Sequence, residues 1–153
     1  MPPITTSTEV NRSAGDVFAY ATDPARFCEW QKGVIDGYMD EPDTPSVGAR
    51  CVTTRHIGFA NRPATAELAH IDPPRTWGVR GIDGPIRAAV EVTVEPLADN
   101  RSRLTITIEF EGHGIGKILV PLVVRPAARK EMPANLAHLK TRLETDSCAN
   151  RAT

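Results

Sequence analysis

The stretch Asp16–Trp30, DVFAYATDPARFCEW, decides how the rest of the chain is read. Val17, Phe18, Tyr20 and Ala21, then Phe27 and Trp30, supply apolar faces at helical spacing. Ser13 followed by Asp16 matches a capping box with Asp in the usual Glu place. Asp23-Pro24 sets an N-cap before a proline whose fixed φ suits the first helical position. Two short helices joined at Asp23-Pro24 are expected.

Before them, Ile4 to Val10 alternates weakly and reads as one strand. After them, Gly33 to Gly112 consists of period-two segments divided by turn residues at Glu41 to Ser46, Gly58 to Arg62, Asp72 to Pro74, Asp83 to Pro85 and Asp99-Asn100. Six strands result. Ile86, Ala88, Val90, Val92 and Val94 alternate with Arg87, Glu91, Thr93 and Glu95, and Leu104 to Phe110 repeats the pattern. One sheet face is therefore dry and the other wet. From Lys117 to Glu144 the composition turns helical, and Met132, Leu136, Leu139 and Leu143 form a stripe suited to the dry face. Pro121, Pro126 and Pro133 predict kinks or a late start in that segment. The order strand, two helices, six strands, helix is an α+β arrangement: a strongly curved antiparallel sheet of about seven strands around a long C-terminal helix. Residues 1–146 read as a single domain, with a frayed tail from Asp146 to Thr153.

The bulk properties bound the function. A chain of 153 residues buries roughly two thirds of its unfolded surface, enough for one core. The 18 basic and 19 acidic residues are interspersed, and without a basic run a phosphate backbone has nothing to grip, so no nucleic-acid partner is expected. The longest apolar run, Ile118 to Val124, contains Pro121 and is too short to span a bilayer. A cytoplasmic, unprocessed protein is the expectation. Cys28, Cys51 and Cys148 are odd in number and lack any CxxC spacing, and read as reduced thiols of apolar character.

Several strings together, VNRSAGDVFAYATDPARFCEW, VGARC, IDPPRTW and NLAHLKTRLE, resemble the START-like (SRPBCC) superfamily and its polyketide cyclase/dehydrase-like branch. The resemblance runs from about Ile4 to Glu144. It implies a helix-grip fold with a cavity between bent sheet and C-terminal helix. It implies no single activity, because the superfamily includes carriers of hydrophobic ligands, aromatase/cyclases and proteins without an assigned role, and shares no catalytic motif.

Putting the more apolar parity of each strand inside yields candidate lining residues. In the third strand the inner set is Val47, Ala49, Cys51, Thr53, Arg55, Ile57 and Phe59; in the fourth it is Ala64, Ala66, Leu68 and His70. Trp77 and Val79 follow, then Ala88 and Val90. Small side chains are frequent here, and the whole chain has only two Trp, two Tyr and four Phe, so the space is either filled by a close-lying helix or left as a cavity. With the resemblance, we take the cavity. The expected ligand-binding residues are Trp30, Thr53, Arg55, Ala66, Leu68, His70, Trp77 and Val90, with Trp30 placed near the cavity wall by the resemblance.

An inward Arg55 demands an acceptor, either a ligand oxygen or an internal carboxylate from Asp36, Glu29 or Glu67. His70 reads first as a satisfied core or rim histidine, with acid/base work as the alternative. The face of Tyr38 is left open by the competing parity of Ile35 and Met39. Continued backwards, the helical stripe meets Arg129 and Arg125, then Leu122, Ile118 and Ile115; an unbroken helix brings Leu122, Arg125 and Arg129 into the candidate site, whereas a kink at the prolines leaves the arginines exposed.

Other chemistries lack their residues. GHGIGKI, Gly112 to Ile118, has neither the Walker spacing nor a Ser or Thr after lysine, there is no GxSxG, and no strand-turn-helix context for a dinucleotide occurs, so no cofactor is expected. His56, His70, His113 and His138 show no paired metal-ligand spacing, and no metal is expected. Three functional classes remain: a module binding a hydrophobic small molecule, lipid-like or polyketide/aromatic; an aromatase/cyclase or dehydratase using Arg55 with Tyr38 or His70; and a regulatory protein contacting a partner whose identity the sequence leaves unknown.

Overall fold

The computed structural model describes residues 2–40, 46–57 and 59–152. Most of the expected Glu41 to Ser46 turn, and Gly58 of the next, lie outside the described residues, as do the side chains of Ile57 and residues 146–152. β1 (Ile4–Val10) leads into α1 (Ala14–Ala21) and a 3-10 helix (Pro24–Glu29). Then come β2 (Val34–Met39), β3 (Arg50–Ile57), β4 (Ala60–Asp72), β5 (Thr76–Gly81), β6 (Ile86–Ala98) and β7 (Arg101–Gly112). The chain closes with α2 (Gly116–Leu119), a π-turn (Val120–Val124) and α3 (Arg125–Ala152), which stays helical into the residues expected to fray.

The caps act as their residue types dictate. The Ser13 hydroxyl accepts the Asp16 N–H at 3.2 Å, and the Asp23 carboxylate accepts the Ala25 N–H at 3.1 Å, each occupying a donor that the first helical turn leaves free. The second piece is a 3-10 helix, not the expected α-helix; its six residues suffice to bury Phe27 and bring Trp30 under the sheet. Gly37 of β2 is where this helix crosses. A Cβ there would collide with the Pro24 carbonyl, so no larger residue fits without moving one element.

The strands form one antiparallel sheet in the order β1-β7-β6-β5-β4-β3-β2, so β1 and β2 are its edges. α3 lies along β1: the Arg125 guanidinium donates to the Pro2 carbonyl at 2.8 Å, and the Lys140 ammonium to the Glu9 carbonyl at 2.7 Å. At the other edge the Asn135 side chain accepts the Lys32 N–H at 3.1 Å, and Arg142 pairs with Glu29 at 2.8 Å. The helix thus bridges both edges of the curved sheet.

Its buried stripe is the expected one. Met132, Leu136, Leu139 and Leu143 lie in a core with Val17, Phe18, Trp77, Val92, Val94, Leu104 and Ile106. Continued backwards, however, the stripe changes phase: Arg125, Val120 and Gly116 are buried, whereas Leu122, Ile118 and Ile115 are exposed. The π-turn is the cause. The Arg125 N–H bonds the Val120 carbonyl, one residue further back than in an α-helix, and this extra residue rotates everything before it. Pro126 favours the change because it has no N–H to give the Leu122 carbonyl. The three prolines therefore alter the helix locally without ending it.

Burial falls along every central strand in the same direction. Val94 and Val92 of β6 are 2 % exposed while Val90 and Ala88 are half-buried. Leu104 and Ile106 of β7 are buried, Ile108 and Phe110 half-buried; on β4, Leu68 is buried, Ala66 half-buried and Ala64 exposed. On β3 the order is Ala49 and Cys51 buried, then Thr53 and Arg55 half-buried. The antiparallel register places all the half-buried residues at one end, so the inner face is filled under α1 and the Met132–Leu143 stripe and open beyond it.

Truncating Leu139, which is fully buried, leaves a cavity in the filled half: Leu139→Ala is expected to lower stability by about 3 kcal/mol, a drop of roughly 10 °C in melting temperature. Gly37→Ala should cost about 1–3 kcal/mol through overpacking against Pro24. Calorimetry checks both, and an unchanged melting temperature in either variant contradicts the packing described.

Candidate functional site

Two clefts flank the open half of the inner face. One, of about 380 Å³, separates the connection between the 3-10 helix and β2 from α3, and is walled by Trp30, Gln31, Val34, Glu131, Asn135 and His138, with Lys32 and Lys130 at its rim. The other, of about 360 Å³, lies under the start of the terminal helix against Phe110, Gly112, Val120, Pro121 and Arg125. The half-buried Ala66, Ala88, Val90 and Ile108 lie on the same sheet face, beside the filled core.

Trp30 is only 4 % exposed, with its ring edge-on to Phe27 at 5.8 Å, and Phe27 meets Trp77 in the same way at 6.4 Å. Its indole Nε1–H is buried and has no hydrogen-bond partner among the described residues. Arg55, opposite Val34 on the neighbouring strand, donates one hydrogen bond to the Gln31 side chain at 3.0 Å. Burial pushes its guanidinium below the usual arginine value, with the Glu131 carboxylate acting in the opposite sense. The acceptor of Arg55 is thus an amide, in place of the expected Asp36, Glu29 or Glu67. Glu29 is committed elsewhere: the hydrogen bond from Arg142 holds its carboxyl below the usual range, and the Tyr20 hydroxyl donates to it at 3.2 Å.

Of the residues expected to line a pocket, Thr53, Arg55, Ala66, Leu68, Trp77 and Val90 share the inner face with Trp30. His70 does not. A bulge at Ala69 makes Leu68 pair with Val79 and His70 with Gly78, so the parity flips and Ile71 continues the inner face. His70 meets Glu91 on the outer face across Gly78, which leaves room for both side chains. A second bulge at Ile35 acts alike: Gly37 and Met39 face inward opposite Thr53 and Cys51, and Tyr38 turns outward opposite Val52, 54 % exposed. The supposed trio of Arg55, His70 and Tyr38 is therefore split across the sheet. Val47 and Phe59 are exposed at the ends of β3 and β4 rather than inside. Leu122 and Arg129 are exposed, the first turned out by the π-turn, and Arg125 is buried but occupied by Pro2.

Gln31, Glu131, Asn135 and His138 were not among the expected residues. The last three stand one position before Met132, Leu136 and Leu139, so the apolar stripe itself gave their spacing. Among the described residues no cluster of His, Cys, Asp and Glu has a metal-binding arrangement, and no helix is long and apolar enough to cross a membrane.

Comparison with known proteins fits this geometry. The model of the family described as polyketide cyclase / dehydrase and lipid transport matches residues 1–144. A solved structure from Thermus thermophilus superposes with a TM-score of 0.74 at 15% identity, over 95% of this chain and 99% of that one. The Zhui aromatase/cyclase from Streptomyces sp. R1128 gives 0.75 at 13% identity, over 93% of each chain. The di-domain ARO/CYC BexL from the BE-7585A biosynthetic pathway gives 0.72 at 16% identity, over 94% of this chain and 47% of that one. At such identities the likeness is one of fold. No curated protein matches the chain.

The two described cysteines differ sharply in environment. Cys28 is exposed beside the larger cleft, whereas burial pushes the Cys51 thiol up to about 12. N-ethylmaleimide at pH 8 is expected to modify Cys28 in the folded protein and to spare Cys51 until denaturant is added. Peptide mapping that finds Cys51 labelled at the rate of Cys28 contradicts the filled end of the inner face.

Proposed function

Because the chain belongs to the polyketide cyclase / dehydrase and lipid transport family, we propose that it binds a hydrophobic small molecule on the open half of the inner sheet face, beneath the terminal helix. The observation that carries this reading is the burial gradient: Ala66, Ala88, Val90, Ile108 and Phe110 stay partly solvated on a face whose other half is closed by α1 and the leucine stripe. Apolar surface left wet beside a finished core gains roughly 25 cal/mol for each Å² that a ligand removes from water. The clefts of about 360 and 380 Å³ fall within the range for small-molecule sites, roughly 300–1,000 Å³, and the smaller one meets this face at Phe110. The sheet separates Arg55 from Tyr38 and His70, so binding needs only what the inner face presents, whereas turnover by those three side chains would need them together.

Ala66 sits where the open half borders the filled core, opposite the buried Cys51 on β3 and Gly81 on β5, and is the position to block. With long-chain alkyl and polycyclic aromatic ligands titrated against tryptophan emission, the native chain is expected to bind at least one class. Ala66→Phe should weaken that binding about tenfold or more, equivalent to about 1.4 kcal/mol, while the melting temperature stays within a few degrees. An affinity unchanged by Ala66→Phe, or no binding by any ligand, refutes the proposal.

A further inference from the structure

Two donors without a full set of acceptors lie at the larger cleft, one on Trp30, which lines it, and one on Arg55, which stands behind the lining residues Gln31 and Glu131. The Trp30 indole N–H is buried and unpartnered, although an indole so enclosed ordinarily finds an acceptor. Arg55 has five N–H donors, and its one hydrogen bond to a side chain goes to the neutral amide of Gln31. The charges facing this place add up to a cationic one. Lys32 and Lys130 stand at the rim with no ion pair among the described residues, and Glu29 is already held by Arg142. Glu131 alone opposes them among the described residues, from beyond ion-pair distance of Arg55, and His138 completes the helix wall. A partly desolvated guanidinium without a bound carboxylate is an incomplete arrangement, and an anionic oxygen is the group that completes it.

We propose that this cleft is the polar end of the ligand site and takes an anionic oxygen, a carboxylate, of an amphipathic molecule whose apolar part continues onto the open half of the inner face. The inference rests on the hydrophobic-binding reading and adds to it the charge of the ligand. The indole N–H and the free guanidinium donors hold the anion, and Lys32 and Lys130 raise its local concentration through their field. A neutral alcohol or ester of equal chain length would satisfy the indole but leave the arginine charge uncompensated.

The test compares dodecanoate with dodecanol and methyl dodecanoate on the intact chain at pH 7.5. Affinities come from calorimetry, and the environment of Trp30 from its indole proton resonance. Dodecanoate is expected to bind about tenfold or more tightly than either neutral analogue and to move the Trp30 indole proton downfield. Arg55→Gln should abolish the preference by weakening dodecanoate about tenfold more than it weakens dodecanol, and Arg55→Lys, which keeps the charge in case the glutamine variant folds poorly, should retain part of it. Trp30→Phe keeps an aromatic ring and should reduce the preference without removing it. Equal affinities for the three ligands, or a preference that survives Arg55→Gln, overturn the anionic subsite and leave hydrophobic binding standing. Failure of all three to bind counts against the hydrophobic reading and the subsite together.

Discussion

The structure depends on one mismatch of length: the apolar stripe of α3 is shorter than the sheet face it must cover. Met132 to Leu143 spans about 18 Å at 1.5 Å per residue. The thirteen residues of β6 extend over about 43 Å at 3.3 Å per residue. Four apolar side chains at helical spacing therefore close one half of the curved face, with α1 and the 3-10 helix seated over the same half. Over the other half the helix presents Arg125 to a backbone carbonyl and buries Val120 and Gly116 near the strand ends. Gly116 shows how tight that far contact is, since a Cβ there would overlap the Pro85 carbonyl. The helix is pinned at both ends of its span, and the space between is what remains.

Pinning is mostly polar and lies at the edges of the sheet. Lys140 and Arg125 bind backbone carbonyls of the β1 side, Asn135 a backbone N–H before β2, and Arg12 reaches the Leu143 carbonyl at 2.8 Å. These contacts cover the exposed β1 edge, which would otherwise offer unpaired backbone groups to another strand. They also hold Glu131, Asn135 and His138 in the wall of the larger cleft. Structure and site thus share the same helix: the apolar side of α3 makes the core, and the residues one position earlier face the cleft.

Most of the fold was legible in the chain, and the reasons are physical. The capping residues Ser13 and Asp23, the strand alternation and the Met132–Leu143 stripe are local signals with one reading each, and they place the elements and the inner face of β3, β6 and β7. The site was legible only in part. His70 and Tyr38 were misplaced or undecided because parity is counted from residue numbers, and a single unpaired residue at Ala69 or Ile35 inverts it. Leu122 was misplaced because the π-turn adds a residue to one helical step, for which the prolines are a clue and not a measure. The partner of Arg55 is set by how β2, β3 and the 3-10 helix converge, a tertiary fact that no local pattern encodes.

The most direct test is methyl NMR of the alanine, isoleucine, leucine and valine side chains during titration with a hydrophobic ligand. Ligand-dependent shifts are predicted for Ala66, Ala88, Val90 and Ile108, with Val94, Leu104, Leu139 and Leu143 unmoved. Shifts confined to the outer sheet face, or spread equally through the filled half, would contradict an open half that receives the ligand.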